Sequence, residues 1–162
     1  MTRMQLVVIG NGMAGMRTVE ELLQLAPDKY DITVIGREPH GNYNRIMLSP
    51  VLAGEKAFED IVIHPLSWYA ERGITLLAGH TVTGVDRVQR CVSTDQGVVV
   101  RYDRLLLATG SVPFMIPMPG HDHPDVISFR DIADVRRMLA PSATPPRVVV
   151  LGGGLLGLEA AN

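Results

Sequence analysis

The chain has 162 residues, enough for roughly one domain with a buried core and too few for a second complete one. Hydrophobic residues make up 46% and charged residues 20%, a balance that excludes a disordered or low-complexity chain. The formal net charge of -2, with no run of Lys or Arg, excludes the broad cationic surface that a nucleic-acid partner needs.

A single cysteine, Cys91, rules out an internal disulfide and a dithiol relay, and reads as a small apolar strand residue. The start lacks the charged leader and small-residue cleavage site of a signal peptide, and no apolar stretch is long and clean enough to span a bilayer. The expectation is a cytoplasmic protein with no membrane partner.

Gln5 to Ile9 is a short apolar run bounded by glycine, the pattern of a strand buried on both faces of a parallel sheet. Met16, Val19, Leu22 and Leu23 recur at helical spacing from Met13 to Leu25, and Pro27 stops that helix. Ile32 to Ile35 is the next buried strand, so the chain opens with a βαβ unit. Further on, helices are expected near Ser49 to Ala53 and from Pro65 through Arg72, with a third strand at Ile74 to Leu77. Thr81 to Val88, Cys91 to Thr94 and Val98 to Tyr102 form an antiparallel meander, with Asp95-Gln96-Gly97 as its clearest turn.

Leu105 to Ala108 reads as another buried strand, and Pro113 to Pro124, with four prolines, as an extended connector. A short amphipathic helix covers Asp131 to Leu139, Pro141 to Pro146 is a linker, and Arg147 to Leu151 is a second apolar strand. The expected fold class is α/β: a Rossmann-like domain with a parallel sheet and an antiparallel meander, followed by the start of a second Rossmann unit. The expected boundaries are 1–112, a connector at 113–146, and 147–162. A strand with a partial helix cannot bury its faces alone, so the chain is expected to be a fragment of a longer protein.

Gly10-Asn11-Gly12-Met13-Ala14-Gly15 sits directly after a strand and opens a helix, the context that a dinucleotide fingerprint requires. Gly10 permits the tight turn, Gly12 lets the backbone approach a pyrophosphate, and Gly15 lets helix pack closely on strand. Phosphates would then face the free N–H groups at the helix start, around Met13 and Ala14. Glu38, after the second strand, fits the acid that takes ribose hydroxyls.

One such run could still be a generic glycine turn. A second run, Gly152-Gly153-Gly154-Leu155-Leu156-Gly157, again follows an apolar strand. Two dinucleotides in one chain imply transfer between them, with a nicotinamide delivering hydride and a flavin accepting it.

The order of first fingerprint, Asn42-Tyr43-Asn44-Arg45 with Leu48-Ser49, then Tyr102 to Gly110 (YDRLLLATG), then second fingerprint resembles the pyridine nucleotide-disulfide oxidoreductase superfamily over essentially the whole chain. Within it, Asn42 to Gly54 (NYNRIMLSPVLAG) resembles the large subunit of NAD(P)H-dependent nitrite reductases, with rubredoxin and ferredoxin reductases next in line. The resemblance implies that Ala108-Thr109-Gly110 passes the flavin nucleotide, that Val82 contacts adenine through its backbone, and that Arg45 and Arg130 approach the cofactor. Pro50 departs from the ferredoxin reductases, which usually place a lysine there, near the reactive flavin nitrogen.

The cofactor-site candidates are therefore Gly10, Gly12, Met13, Ala14, Gly15, Glu38, Arg45, Val82, Ala108, Thr109, Gly110 and Arg130 for FAD. Gly152, Gly154 and Gly157 are the candidates for NAD(P)H. No acid or base is required for hydride transfer, so no catalytic side chain is named. The resemblance further implies an iron-sulfur cluster and sirohaem in downstream domains, a small subunit or a homo-oligomer as possible partners, and nitrite as the final acceptor. A stand-alone reductase for a small carrier and a flavin-binding interaction module without turnover are the alternatives.

Other residues carry blander readings. His121-Asp122-His123 lacks the further ligands of a metal site. His64 and His80 are isolated, each on the surface or satisfied by a partner. Asp131, Asp134, Arg136 and Arg137 resemble a solvated helix face, and Met47, Met115 and Met118 fill gaps in packing.

Overall fold

Strand β1 (Met4–Ile9) is buried over its last four residues, and its side chains alternate between two apolar clusters. Leu6 and Val8 face the helices; Val7 and Ile9 face the meander. A strand covered on both sides reads as a continuous hydrophobic run, which is why this segment shows no alternation in the sequence. The computed structural model describes residues 3–140 and 147–161. The linker expected at Pro141 to Pro146 lies outside the described residues.

The chain divides into two units. The first comprises residues 1–43 and 62–110. Its parallel sheet has the order β5-β2-β1-β9, with β2 at Tyr30–Gly36, β5 at Thr75–Ala78 and β9 at Arg104–Leu107. Helix α1 (Met13–Leu25) crosses from β1 to β2 over the expected residues, and buries Gly15, Met16 and Val19.

Helix α3 (Leu66–Glu71) begins after Pro65, whose fixed φ suits a helix start. Its Tyr69 joins Leu6, Val8, Met16, Val19, Ile32, Val34 and Ile74 in one cluster. The meander β6 (Val82–Asp86), β7 (Cys91–Thr94) and β8 (Val99–Arg101) supplies Val92 to the other, against Val7, Ile9 and Ile35. Cys91 is a half-buried strand residue, as its type suggested. The sequence does not foretell the pairing in which β3 (Asn42–Tyr43) runs antiparallel to β4 (Val62–His64). Two-to-three-residue strands carry too little pattern to be read from sequence.

The second unit comprises residues 44–61 and 111–162. A single 3-10 turn at Arg45–Met47 leads into α2 (Leu48–Leu52), and Asn44 N–H donates to Ile61 O at 2.8 Å to close the loop between them. Helix α4 (Ile132–Met138) buries Ile132 and Val135. Its two acids do more than face solvent. Asp131 accepts from the N–H groups of Ala133 and Asp134, while Asp134 reaches back to the N–H of Asp131, a reciprocal capping box. Arg136 lies over the Phe58 ring, 5.4 Å from its centroid.

Two expectations fail in this unit. Arg147 to Leu151 forms no strand: Val148, Val149 and Leu151 are exposed, and no neighbouring strand lies alongside among the described residues. A parallel strand exists only where a neighbour takes its hydrogen bonds. Met115 and Met118 fill no gap but stand exposed on the proline-rich connector, which leaves too little packed structure around them; Met47 is half-buried.

Candidate functional site

The end of β1 turns into α1 through Gly10, whose φ of +114° is a conformation that a side chain disfavours. A Cβ at Gly10 would also run into the carbonyl group of Ala108. The turn is held from both sides, by Gly10 N–H donating to Ile35 O at 2.8 Å and Ala108 N–H donating to Ile9 O at 2.8 Å. A Cβ at Gly15 would lie 2.9 Å from Ala108 Cβ and from Gly10 O, so this glycine sets the helix-to-strand distance. Gly12 differs from both: a Cβ there would meet nothing within 4 Å. The backbone over Gly12 is open, the cradle that a pyrophosphate requires.

The first helical N–H with an intrachain partner is that of Met16, which donates to Gly12 O at 3.0 Å. The N–H groups of Met13, Ala14 and Gly15 precede it and have no carbonyl within the helix to bond. They lie at the positive end of the longest helix described, where an anion is favoured.

Around this turn the first unit gathers most of the flavin-site candidates. Ala108 abuts Gly10 and Gly15, and Thr109 and Gly110 continue the chain from β9, exposed, with Gly110 at φ +69°. Glu38 follows β2, and its carboxylate accepts from Tyr43 Oη at 2.7 Å while its backbone O accepts from Gly79 N–H at 3.1 Å. Val82 opens β6 opposite Thr94 and packs its side chain on the Val7, Ile9, Ile35 and Val92 cluster.

Arg45 and Arg130 belong to the second unit, where Arg45 Nη1 donates to Arg130 O at 3.3 Å. Arg130 is itself held, its N–H by Asp134 Oδ2 at 2.8 Å and its guanidinium by Ser111 Oγ at 3.2 Å. Ser49, before Pro50 on α2, donates to Glu159 Oε2 on α5 (Leu155–Ala161) at 3.0 Å.

The second glycine run repeats the local design of the first. Gly152 has φ +130°, a Cβ at Gly157 would strike the Gly152 carbonyl, a Cβ at Gly154 meets nothing within 4 Å, and Leu158 N–H donates to Gly154 O at 3.0 Å. The same spacing therefore gives the same turn twice.

Sequence reasoning missed a buried polar network behind the first turn. Tyr69 Oη donates to Asn11 Oδ1 at 2.6 Å and accepts from Asn42 N–H at 3.1 Å, while Asn42 Nδ2 donates to Asn11 O at 3.0 Å. His64 is the buried outer member, with Nδ1 3.3 Å from Asn42 Oδ1 and Nε2 2.9 Å from Glu20 Oε1. Burial pushes the Tyr69 phenol above its ordinary pKa, and the bonds with Asn42 and Asn11 oppose the shift. These pairs span up to 58 positions, a separation that no local pattern reveals.

Two further histidines find partners: His80 Nδ1 lies 3.3 Å from Thr94 Oγ1, and His121 Nδ1 donates to Met118 O at 2.7 Å. Among the described residues no group of three His, Cys, Asp or Glu side chains is placed to hold a metal, and no helix is long and apolar enough to cross a membrane.

Comparison with known proteins agrees with the geometry. The chain is 51% identical over its full length to the nitrite reductase [NAD(P)H] of Bacillus subtilis, covering 20% of that protein. It is 45% identical over 99% of its length to the assimilatory nitrate reductase electron transfer subunit of the same organism, covering 21% of it. It thus spans about a fifth of the length of these curated relatives.

Among solved structures, NADH:rubredoxin oxidoreductase from Clostridium acetobutylicum superposes with a TM-score of 0.85 at 25% identity, over 99% of this chain and 41% of that one. The profile of the pyridine nucleotide-disulphide oxidoreductases matches residues 4–162, so the paired glycine turns, parallel sheet and meander have a common explanation: the chain belongs to that family.

Proposed function

We propose that this chain is the FAD-binding front, followed by the opening of the NAD(P)H-binding module, of a flavoprotein oxidoreductase that reduces nitrite. In this reading electrons leave NAD(P)H, pass through FAD, and reach an iron-sulfur cluster and sirohaem in further domains or a small subunit. The observation that carries it is the open backbone at Gly12, with the Met13 and Ala14 N–H groups beside it, at the end of a strand buried on both faces. FAD, when bound, supplies an acceptor for a hydride that can release its two electrons singly.

The chain's own work is to bind and orient. Gly12, Met13 and Ala14 would hold the diphosphate, with Gly10 and Gly15 shaping the turn; Glu38 would take ribose hydroxyls through a carboxylate that Tyr43 already orients. Val82 would contact adenine through its backbone, and Ala108, Thr109 and Gly110 would line the nucleotide. Arg45 and Arg130 would bring positive charge to it. Gly152, Gly154 and Gly157 would serve the nicotinamide dinucleotide in the same way. Hydride transfer needs no side-chain acid or base, so catalysis here rests on positioning and electrostatics.

A stand-alone reductase for a small redox carrier is the second reading, favoured by the fold match to the rubredoxin oxidoreductase. Identity of 51% against 25%, together with Pro50 where ferredoxin reductases carry lysine, favours nitrite reduction. The test is anaerobic rapid mixing of the intact protein with NADH, then nitrite. Fast bleaching of bound flavin, followed by reoxidation with nitrite, is the expected result. Bleaching reversed only by rubredoxin or ferredoxin would favour the carrier reductase, and absence of bleaching would leave a binding module.

A further inference from the structure

We infer that Asn42 and Tyr69, with His64 behind them, are positioning residues that set the Asn11–Gly12 peptide for the diphosphate; this rests on the flavin site proposed above. Asn42 Nδ2 draws the Asn11 carbonyl inward at 3.0 Å. The peptide is a rigid trans plane, so its N–H, that of Gly12, points the opposite way. The orientation of one donor in the turn is thereby fixed by a side chain from another strand.

Asn11, Tyr69 and Asn42 each both donate and accept within the network, which leaves it few alternative arrangements. Asn11 donates through Nδ2 to His40 O at 3.1 Å and accepts at Oδ1 from Tyr69. Tyr69 accepts in turn from the Asn42 N–H. Since Asn42 Nδ2 is spent on a carbonyl, its Oδ1 faces His64 Nδ1, which therefore donates to it.

His64 Nε2 then reaches Glu20, a residue of α1 itself, with Arg17 Nη1 3.3 Å behind that carboxylate. The chain of bonds leaves the helix at Glu20 and re-enters at the turn that starts it. Among the described residues no buried side-chain nitrogen or oxygen lacks a partner. The network is held in place at its buried members, because a rearrangement would leave the polar groups of Tyr69, Asn42 and His64 unpaired away from water.

Space is arranged to admit it. A Cβ at Gly36 would lie 2.7 Å from Asn11 Cβ, and one at Gly41 would collide with the His64 carbonyl. Neither glycine has a positive φ, so what these positions require is room rather than a special backbone.

The test uses the intact protein freed of flavin, and measures dissociation constants of FAD, ADP and adenosine for wild type, Tyr69→Phe and Asn42→Ala, with melting temperatures alongside. A positioning role predicts that FAD and ADP each weaken about tenfold while adenosine, which has no phosphate, is unchanged, since one preorganised contact is at stake. His64→Gln, further from the peptide, provides a variant that keeps most of the network, and is expected to weaken ADP about twofold.

Unchanged FAD and ADP affinities, or an equal loss for adenosine, would overturn the inference, the second outcome marking a purely structural network. Wild-type protein that takes up neither FAD nor ADP would instead overturn the flavin site itself.

Discussion

At Gly10 and at Gly152 the backbone makes the same bend, with φ of +114° and +130°, and in each run the sixth residue, Gly15 or Gly157, packs its helix against the first glycine. What differs is the company. The first turn has β2 and β9 on either side, which bond it through Ile35 O and Ala108 N–H, and a network from Asn42 and Tyr69 behind it. The second follows Arg147 to Leu151, a segment with no strand beside it among the described residues and with Val148, Val149 and Leu151 exposed. A fingerprint thus encodes a turn; the neighbouring strands make the turn a rigid site.

The largest consequence is at the first glycines. Gly10→Val drives a side chain into the Ala108 carbonyl and into left-handed backbone, and should cost several kcal/mol, enough to abolish a folded first unit. Gly152→Val has the same backbone strain but meets nothing within 4 Å, so about 1–3 kcal/mol is expected and the protein should stay folded. Circular-dichroism melts of the two variants measure the difference. Equal losses would mean that neighbours contribute little to the first turn.

Gly12→Val separates binding from folding. Its φ of -85° suits any residue and its surroundings are open, so the melting temperature should hold while flavin retention falls by about a hundredfold or more. Flavin absorbance per protein after desalting reports the outcome, and undiminished flavin would place the diphosphate elsewhere. Gly157→Val makes the reciprocal statement for the second turn. Its Cβ strikes the Gly152 carbonyl, so KM for NAD(P)H should rise about tenfold with flavin content unchanged; a loss of flavin instead would contradict the assignment of the two turns to two cofactors.

The smallest effect concerns pH. The Tyr69 phenol is held neutral by burial, so its folded pKa lies above the ordinary 10.0. Between the unfolded and folded values the native state binds the extra proton, and stability present below pH 10 is lost as pH rises above it. Urea midpoints should fall in that window for wild type and fall less for Tyr69→Phe; identical alkaline slopes would show that the phenol does not titrate with folding.

How much of this was legible in the sequence follows from the range of the forces involved. The bounds of α1 and the places of the meander and the parallel strands were readable because period and breakers act locally, and the two glycine runs because spacing alone sets their bends. The strand expected to be buried at Leu105 to Ala108 is instead β9, with no fully buried residue and Leu107 exposed, because an apolar run does not show which face is covered. Arg147 to Leu151 was misread as a strand because an apolar run signals burial while pairing depends on a neighbour. Asp131 and Asp134 were read as a solvated face because a capping box and a polar surface use the same residues. The Asn11–Tyr69–Asn42–His64 network was invisible, since its members come from separate elements brought together only by the β3–β4 pair and α3.

The central claim is that Gly12, Met13 and Ala14 present their N–H groups to the diphosphate of a flavin nucleotide. A crystal structure of the intact protein with FAD tests it most directly. The account predicts phosphate oxygens within hydrogen-bonding distance of those groups, with Gly12 in contact; a turn filled by side chains, with the cofactor bound elsewhere, would contradict it.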